Sequence, residues 1–280
     1  MSLSNIAKRS IAGLFFGAII IFVCFAPPFL QVIFYAIIMT LCLKEFLSFF
    51  RDKQLIKIDV LSAHTLQILI YVLISCNHFV IFESSFMWIL VPIIFIIVLK
   101  EIWRKVENPI LNISVMLFGV GYTLIPFSML IMLSNLSPEK STNILLVLGM
   151  YILIWSNDTF AYLIGKSFGR RPFFNRISPN KTVEGAFGGI LLTLLVSLIL
   201  SILTSELPVL FWLISALIIA PTSIFGDLLE STFKRSVDLK DTGTLIPGHG
   251  GILDRFDSFL FTVPFYYIWS LTYFNYLVAR

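Results

Sequence analysis

The stretch VEGAFGGILLTLLVSLILSILT, residues 183–204, contains Glu184 near its start and no other charged side chain. An α-helix rises about 1.5 Å per residue, so a run of this length matches the roughly 30 Å hydrocarbon core of a bilayer. On one side lies the polar segment 166–182, and on the other a short turn leads into a second apolar run at 208–229. Working outward, comparable runs fall near 10–27, 29–49, 60–82, 85–103, 109–133, 143–165 and 254–277. Nine crossings are therefore expected, in an all-α integral membrane protein.

Composition agrees with that reading. The 280 residues are 58% hydrophobic and only 13% charged, with a mean hydropathy of +0.94. A soluble domain carries about 25% charged residues. No segment is polar enough to fold apart from the membrane, so residues 1–280 read as one polytopic domain. Within it, 1–142 supply the N-terminal spans and 143–280 the spans and loops that carry the polar motifs. Cys24, Cys42 and Cys76 lie in apolar runs without metal-ligand spacing and read as inert thiols. Lys8-Arg9 before the first run fits an uncleaved span better than a signal peptide, because no small-residue cleavage site follows.

Charge sets the orientation. Of the 20 Lys and Arg, alternation through nine spans leaves only Lys140 and Arg280 on the side opposite the N-terminus, with Lys44 inside the second span. Cytoplasmic loops hold the Lys/Arg excess. The N-terminus and the loops near 166–182 and 230–253 are thus expected in the cytoplasm and the C-terminus outside, in a bacterial-type inner membrane. A net charge of +4 spread over juxtamembrane loops indicates anionic headgroups, not nucleic acid.

Ionisable groups at membrane depth need a reason. Glu45 beside Lys44 reads as a local ion pair near the end of the second span. The second half holds far more. Asp158 and Tyr162 are four apart and share a helix face ahead of Gly165 and Gly169. Ser178-Pro-Asn-Lys181-Thr182-Val-Glu184-Gly185 leads into the 183–204 span, and Asp227, Glu230 and Lys234 fall on one face of the eighth. Asp254 and Asp257 share a face at the start of the ninth. Asp158, Asp227, Asp254 and Asp257 thus place four carboxylates at the cytoplasmic ends of three helices. Hard oxygen donors at such a boundary suit Mg²⁺, which binds through one or two carboxylates plus substrate phosphates. The neighbouring Lys and Arg would hold phosphates, and the glycines would let backbone N–H groups approach them.

The run Ser231-x-Phe-Lys234-Arg235-x4-Lys240-Asp241-x-Gly-x2-Ile-Pro-x-His249-Gly250-Gly251-Ile-x-Asp254-Arg255-Phe-Asp257 resembles the signature of the phosphatidate cytidylyltransferases at each specified position. The segments Asp158-Thr-x-Ala-Tyr162-x-x-Gly165 and Ser178-Pro-x-Lys181-Thr182-x-Glu184-Gly185 are similar to that family too, although Val183 stands where relatives often carry Trp. The likeness is clear over residues 150–260 and, in the first five spans, one of character only.

The resemblance implies a helical membrane fold, a homodimer, and a polar cavity near the C-terminal helices that opens to cytoplasm and bilayer. It makes Asp227, Asp254 and Asp257 the metal-site candidates, for Mg²⁺ with a second, monovalent cation such as K⁺. The substrates implied are CTP and phosphatidate, joined to give CDP-diacylglycerol. Catalytic roles are expected for Asp227, Lys234, Arg235, Lys240, Asp241, His249, Asp254, Arg255 and Asp257. Substrate contacts are expected from Asp158, Tyr162, Ser178, Lys181, Thr182, Glu184, Ser231, Gly250 and Gly251. His249 fits either a hydrogen bond to phosphate or support of the Gly250-Gly251 turn. Two other classes share some of these features. A CTP-dependent kinase of a membrane lipid alcohol would use a similar cation site, but would need a base for a neutral hydroxyl. A transporter would place its charges near the bilayer midplane on broken helices, whereas these gather at one boundary.

Overall fold

The computed structural model describes residues 3–50, 56–79, 81, 84–238 and 251–278. Nine α-helices account for most of them: α1 (Leu3–Phe25), α2 (Pro28–Ser48), α3 (Val60–His78), α4 (Leu90–Arg104), α5 (Pro109–Leu133), α6 (Lys140–Phe168), α7 (Val183–Leu203), α8 (Val209–Ser236) and α9 (Leu253–Thr272). Local chemistry marks several starts. α2 and α5 begin on prolines, whose missing N–H costs nothing in a first turn. Asp59 caps α3 by accepting the Ser62 N–H at 3.2 Å, and Thr182 Oγ1 caps α7 by accepting the Gly185 N–H at 3.2 Å.

Helices follow the nine apolar runs closely, with α6 and α8 extended past the hydrophobic stretch into their polar ends. Six of them, α2, α3, α5, α6, α7 and α8, are long and apolar enough to cross a bilayer. The other three expected crossings are less complete. α4 has 15 residues, about 22 Å of helix; α9 opens with Asp254, Arg255 and Asp257; and α1 carries Lys8 and Arg9 ahead of its apolar run.

Packing places the polar ends together. α6, α7, α8 and α9 form one contiguous group, and α5 joins α9 to α2 and α3. Small residues permit the close approaches that helix association in a bilayer relies on. A Cβ at Gly226 would lie 2.7 Å from the Asp257 carbonyl oxygen and 2.9 Å from Ser258 Cα, so only glycine lets α8 meet α9 there. One at Gly185 would lie 2.6 Å from the Ala161 carbonyl oxygen, which fixes α7 against α6 in the same way. Between α6 and α7 the chain forms a hairpin of β1 (Pro172–Phe174) and β2 (Ser178–Thr182), antiparallel with Pro172 opposite Thr182. Its Phe173 and Ile177 pack on a small apolar cluster of Ala186, Ile224 and Leu228.

Candidate active site

A cleft of about 630 Å³ opens where α6, α8, α9 and the hairpin converge. Asp158, Tyr162 and Lys166 of α6 line it, with Asn180, Lys181 and Thr182 of β2, Asp227 of α8, and Asp254, Asp257 and Ser258 of α9. All four aspartates expected from the sequence therefore share one cavity. They arrive there because Asp158 and Tyr162 stand one turn apart on α6, and because the Gly226 contact sets Asp227 beside the turn that carries Asp257.

Cations of the chain bridge these acids. Lys181 Nζ reaches across from the hairpin to Asp227 Oδ2 at 2.6 Å. Lys234 Nζ lies 2.8 Å from Asp254 Oδ1 and 3.6 Å from Glu230 Oε2. Asp254 Oδ2 also accepts the Gly251 N–H at 3.0 Å, and Ser231 Oγ donates to Asp227 Oδ1 at 3.2 Å. Lys166 Nζ sits 5.9 Å from the centre of the Tyr162 ring, within cation–π range. Glu230 is fully buried, and neither of its oxygens has a hydrogen-bond partner among the described residues.

Not every expected residue enters the cleft. Glu184 Oε2 accepts the N–H groups of Arg170 and Arg171 at 3.0 and 3.2 Å and so fastens the start of the hairpin. Ser178 opens β2 opposite Phe174. Arg235 and Arg255 are exposed at the ends of α8 and α9. Lys240, Asp241, His249 and Gly250 lie outside the described residues. Asn180, Lys166 and Phe173 also line the cleft; strand alternation over 178–182 would pair Asn180 with Thr182 on one face, but gives no reason for Lys181 to join them. Glu45, for which the sequence offers a local pair with Lys44 or a part in the site, has its Oε2 accept the Leu253 N–H of α9 at 2.7 Å.

The donor set bears on the metal. Among the described residues no three His, Cys, Asp or Glu side chains come close enough to share one ion. Asp227, Asp254 and Asp257 nonetheless line one wall, which suits an ion bound through one or two carboxylates and completed by water and phosphate oxygens.

Comparison with known proteins bears on the whole chain. A profile described as the cytidylyltransferase family matches residues 7–273, including the N-terminal spans in which the motifs are absent. The chain is 49% identical over 117 residues to the phosphatidate cytidylyltransferase of Bacillus subtilis (strain 168), covering 41% of this chain and 44% of that protein. Against the phosphatidate cytidylyltransferase of Staphylococcus epidermidis (strain ATCC 12228 / FDA PCI 1200) it is 37% identical over 178 residues, 62% of this chain and 65% of the relative. The matches thus span between 44% and 65% of these two named relatives. A longer match, 34% identical over 267 residues, joins 89% of this chain to 84% of an uncharacterized protein, YnbB, of Escherichia coli (strain K12).

Proposed function

The chain belongs to the cytidylyltransferase family, and on that footing we propose that it transfers CMP from CTP to phosphatidate, giving CDP-diacylglycerol and pyrophosphate. One observation carries the reading: motifs spread over about a hundred positions of sequence bring Asp158, Lys181, Asp227, Asp254 and Asp257 to a single cleft at the polar ends of apolar helices, with Lys234 paired to Asp254 beside it. The names of the Bacillus and Staphylococcus relatives support it.

The chemistry asks for what these residues supply. A phosphate oxygen of phosphatidate forms a bond to the α-phosphorus of CTP, and the bond from that phosphorus to the β-phosphate oxygen breaks, releasing pyrophosphate. The nucleophile is already anionic, so no general base is required. Lys181 and Lys234 are positioned to exchange their carboxylate partners for phosphate oxygens and to hold the reacting groups in line. Asp227, Asp254 and Asp257 would hold Mg²⁺, which when bound supplies Lewis-acid neutralisation of the phosphates; a monovalent cation alongside it belongs to the same proposal. Thr182 and Asn180 would line the lipid phosphate or nucleotide, and Tyr162 the mouth of the cleft.

The same proposal sets the chain in the membrane with nine crossings and the cleft open to the cytoplasm, as the Lys/Arg bias indicates, and as a homodimer. Following phosphorus atoms tests the chemistry. Purified protein with phosphatidate and Mg²⁺ is expected to give labelled lipid from α-labelled CTP, and labelled pyrophosphate with unlabelled lipid from γ-labelled CTP. Label from the γ-position in the lipid, without label from the α-position, would replace this reading with a CTP-dependent lipid kinase.

A further inference from the structure

Glu45 stands on α2, in the half of the chain that carries none of the motifs. Its side chain is 3% exposed, and its Oε2 accepts the Leu253 N–H at 2.7 Å across 208 positions of sequence. Ile252, the N-cap of α9, provides no side-chain cap of its own. The first N–H groups of a helix lack intrahelical acceptors, and a carboxylate beside them is favoured by the helix dipole. α9 therefore borrows its capping group from α2. The Gly251 N–H, one turn earlier, goes to Asp254 Oδ2 at 3.0 Å. From this doubly fastened turn Asp254 and Asp257 project into the cleft.

α2 is itself anchored next to that contact. The centre of the Phe46 ring lies 5.9 Å from that of Phe233 on α8 and 6.1 Å from that of Tyr122 on α5, in one aromatic block. Rotation of α2 that freed Glu45 would have to break this block, so the acceptor is held at a fixed height relative to both α8 and α9.

We infer that Glu45 is a positioning residue: its carboxyl oxygen sets the first turn of α9, and through it the placement of Asp254 and Asp257 opposite Asp227. The kinetic part of this inference rests on the transferase reading; the structural part does not. Reach matters more than charge. Glu45→Gln keeps an acceptor oxygen at the same distance, whereas Glu45→Asp keeps the charge but is one methylene short, and Glu45→Ala removes the acceptor.

The test uses the full chain purified in detergent, with two readouts. Hydrogen exchange of the 253–258 amides is expected to stay within about twofold of wild type in Glu45→Gln, and to speed up roughly tenfold or more in Glu45→Asp and Glu45→Ala, the equivalent of one lost hydrogen bond to a charged group. With CTP, phosphatidate and Mg²⁺, kcat is expected within about threefold of wild type for Glu45→Gln and lower by roughly ten- to a hundredfold for the other two. The Mg²⁺ concentration giving half-maximal rate should rise in those two, a shift that a smaller folded fraction does not produce. Unchanged exchange at 253–258 in Glu45→Ala and Glu45→Asp, or Glu45→Gln as impaired as Glu45→Ala, overturns the inference. Should Glu45→Ala not fold, the Gln and Asp pair decides alone. If wild type makes no CDP-diacylglycerol, the transferase reading falls by itself, and the exchange comparison still decides the role of Glu45.

Discussion

Lys234 offers the most demanding check on how the site is held together. Its ammonium lies 2.8 Å from Asp254 and 3.6 Å from Glu230, a carboxylate with no exposed surface. At an effective dielectric of about 20 these separations correspond to gross attractions of about 6 and about 5 kcal/mol. Desolvation of three charged groups cancels much of that, so the pair sum is no measure of net stability. Removing the lysine is a different matter, because it leaves the buried Glu230 and the mostly buried Asp254 without their shared cation. Lys234→Met is expected to cost about 3–5 kcal/mol, the usual penalty for breaking a buried pair from one side. In a chain of this size that is a fall of roughly 10 °C in the unfolding midpoint. Adding Glu230→Gln removes the more deeply buried of the stranded charges and should restore more than half of the loss. Activity should not return with it, since the cation facing Asp254 is still missing. Thermal unfolding of wild type, both single variants and the double variant in one detergent measures the cycle. A Lys234→Met protein as stable as wild type, or a double variant no more stable than Lys234→Met, would refute the argument that Lys234 compensates buried charge.

Asp227→Asn and Asp254→Asn are each expected to lower turnover at least about a hundredfold while leaving the protein folded, because a carboxylate that holds a metal supplies several kcal/mol to the transition state; near-normal rates at saturating Mg²⁺ would remove that assignment. Chelating divalent cations should weaken CTP binding, measured by nucleotide protection against thermal unfolding, by roughly tenfold or more. Cysteines introduced at positions 172 and 244 should label from the cytoplasmic side of sealed vesicles only, and labelling from outside would reverse the topology. Burial tends to raise the carboxyl of Asp59, but Lys100 and Ser62 overcome it and hold it down at about 2. Its folded value lies below the unfolded one, so its small contribution is complete above about pH 4 and is lost as pH falls through about 2; unfolding of Asp59→Asn should accordingly be less sensitive to pH across that window.

Helix positions and candidate acids were legible in the sequence because each depends on short-range spacing. The apolar runs locate nine helices to within a few residues at most of their ends, and the i, i+3 or i, i+4 pairs of Asp254 with Asp257 and of Asp158 with Tyr162 show a shared face without further information. What spacing cannot show is which face meets which. The Lys181–Asp227 bridge depends on the hairpin folding back over α8, and the Glu45–Leu253 contact joins residues 208 apart. Glu184 shows what spacing leaves open. Its place in a motif beside Lys181 and Thr182 suggests a substrate contact, yet both donors that it serves are backbone groups of the hairpin. A motif preserves shape as well as chemistry, and the residue string does not distinguish the two. The number of crossings is the least legible feature, because six helices are long and apolar enough to cross a bilayer by length and composition, while α4 is short and α9 has a polar first turn.

Charge balance explains why so acidic a cleft suits anionic substrates. Asp158, Asp227, Asp254 and Asp257 line it with Glu230 buried close by, while Lys166, Lys181 and Lys234 are the lysines set among them. Two of those lysines already pair with aspartates, so the cleft as it stands offers an incoming triphosphate more negative charge than positive. If the site works as proposed, Asp227, Asp254 and Asp257 would hold a cation, and Lys181 and Lys234 would turn from their carboxylate partners to the phosphates. Lys181 sits on a hairpin and not on a helix. A short two-stranded element packed on only a few apolar side chains can shift at small cost, whereas α8 and α9, locked together at Gly226, cannot. The rigid helices fix the acids together with Lys234, and the hairpin carries Lys181, the other lysine that the proposal has change partners.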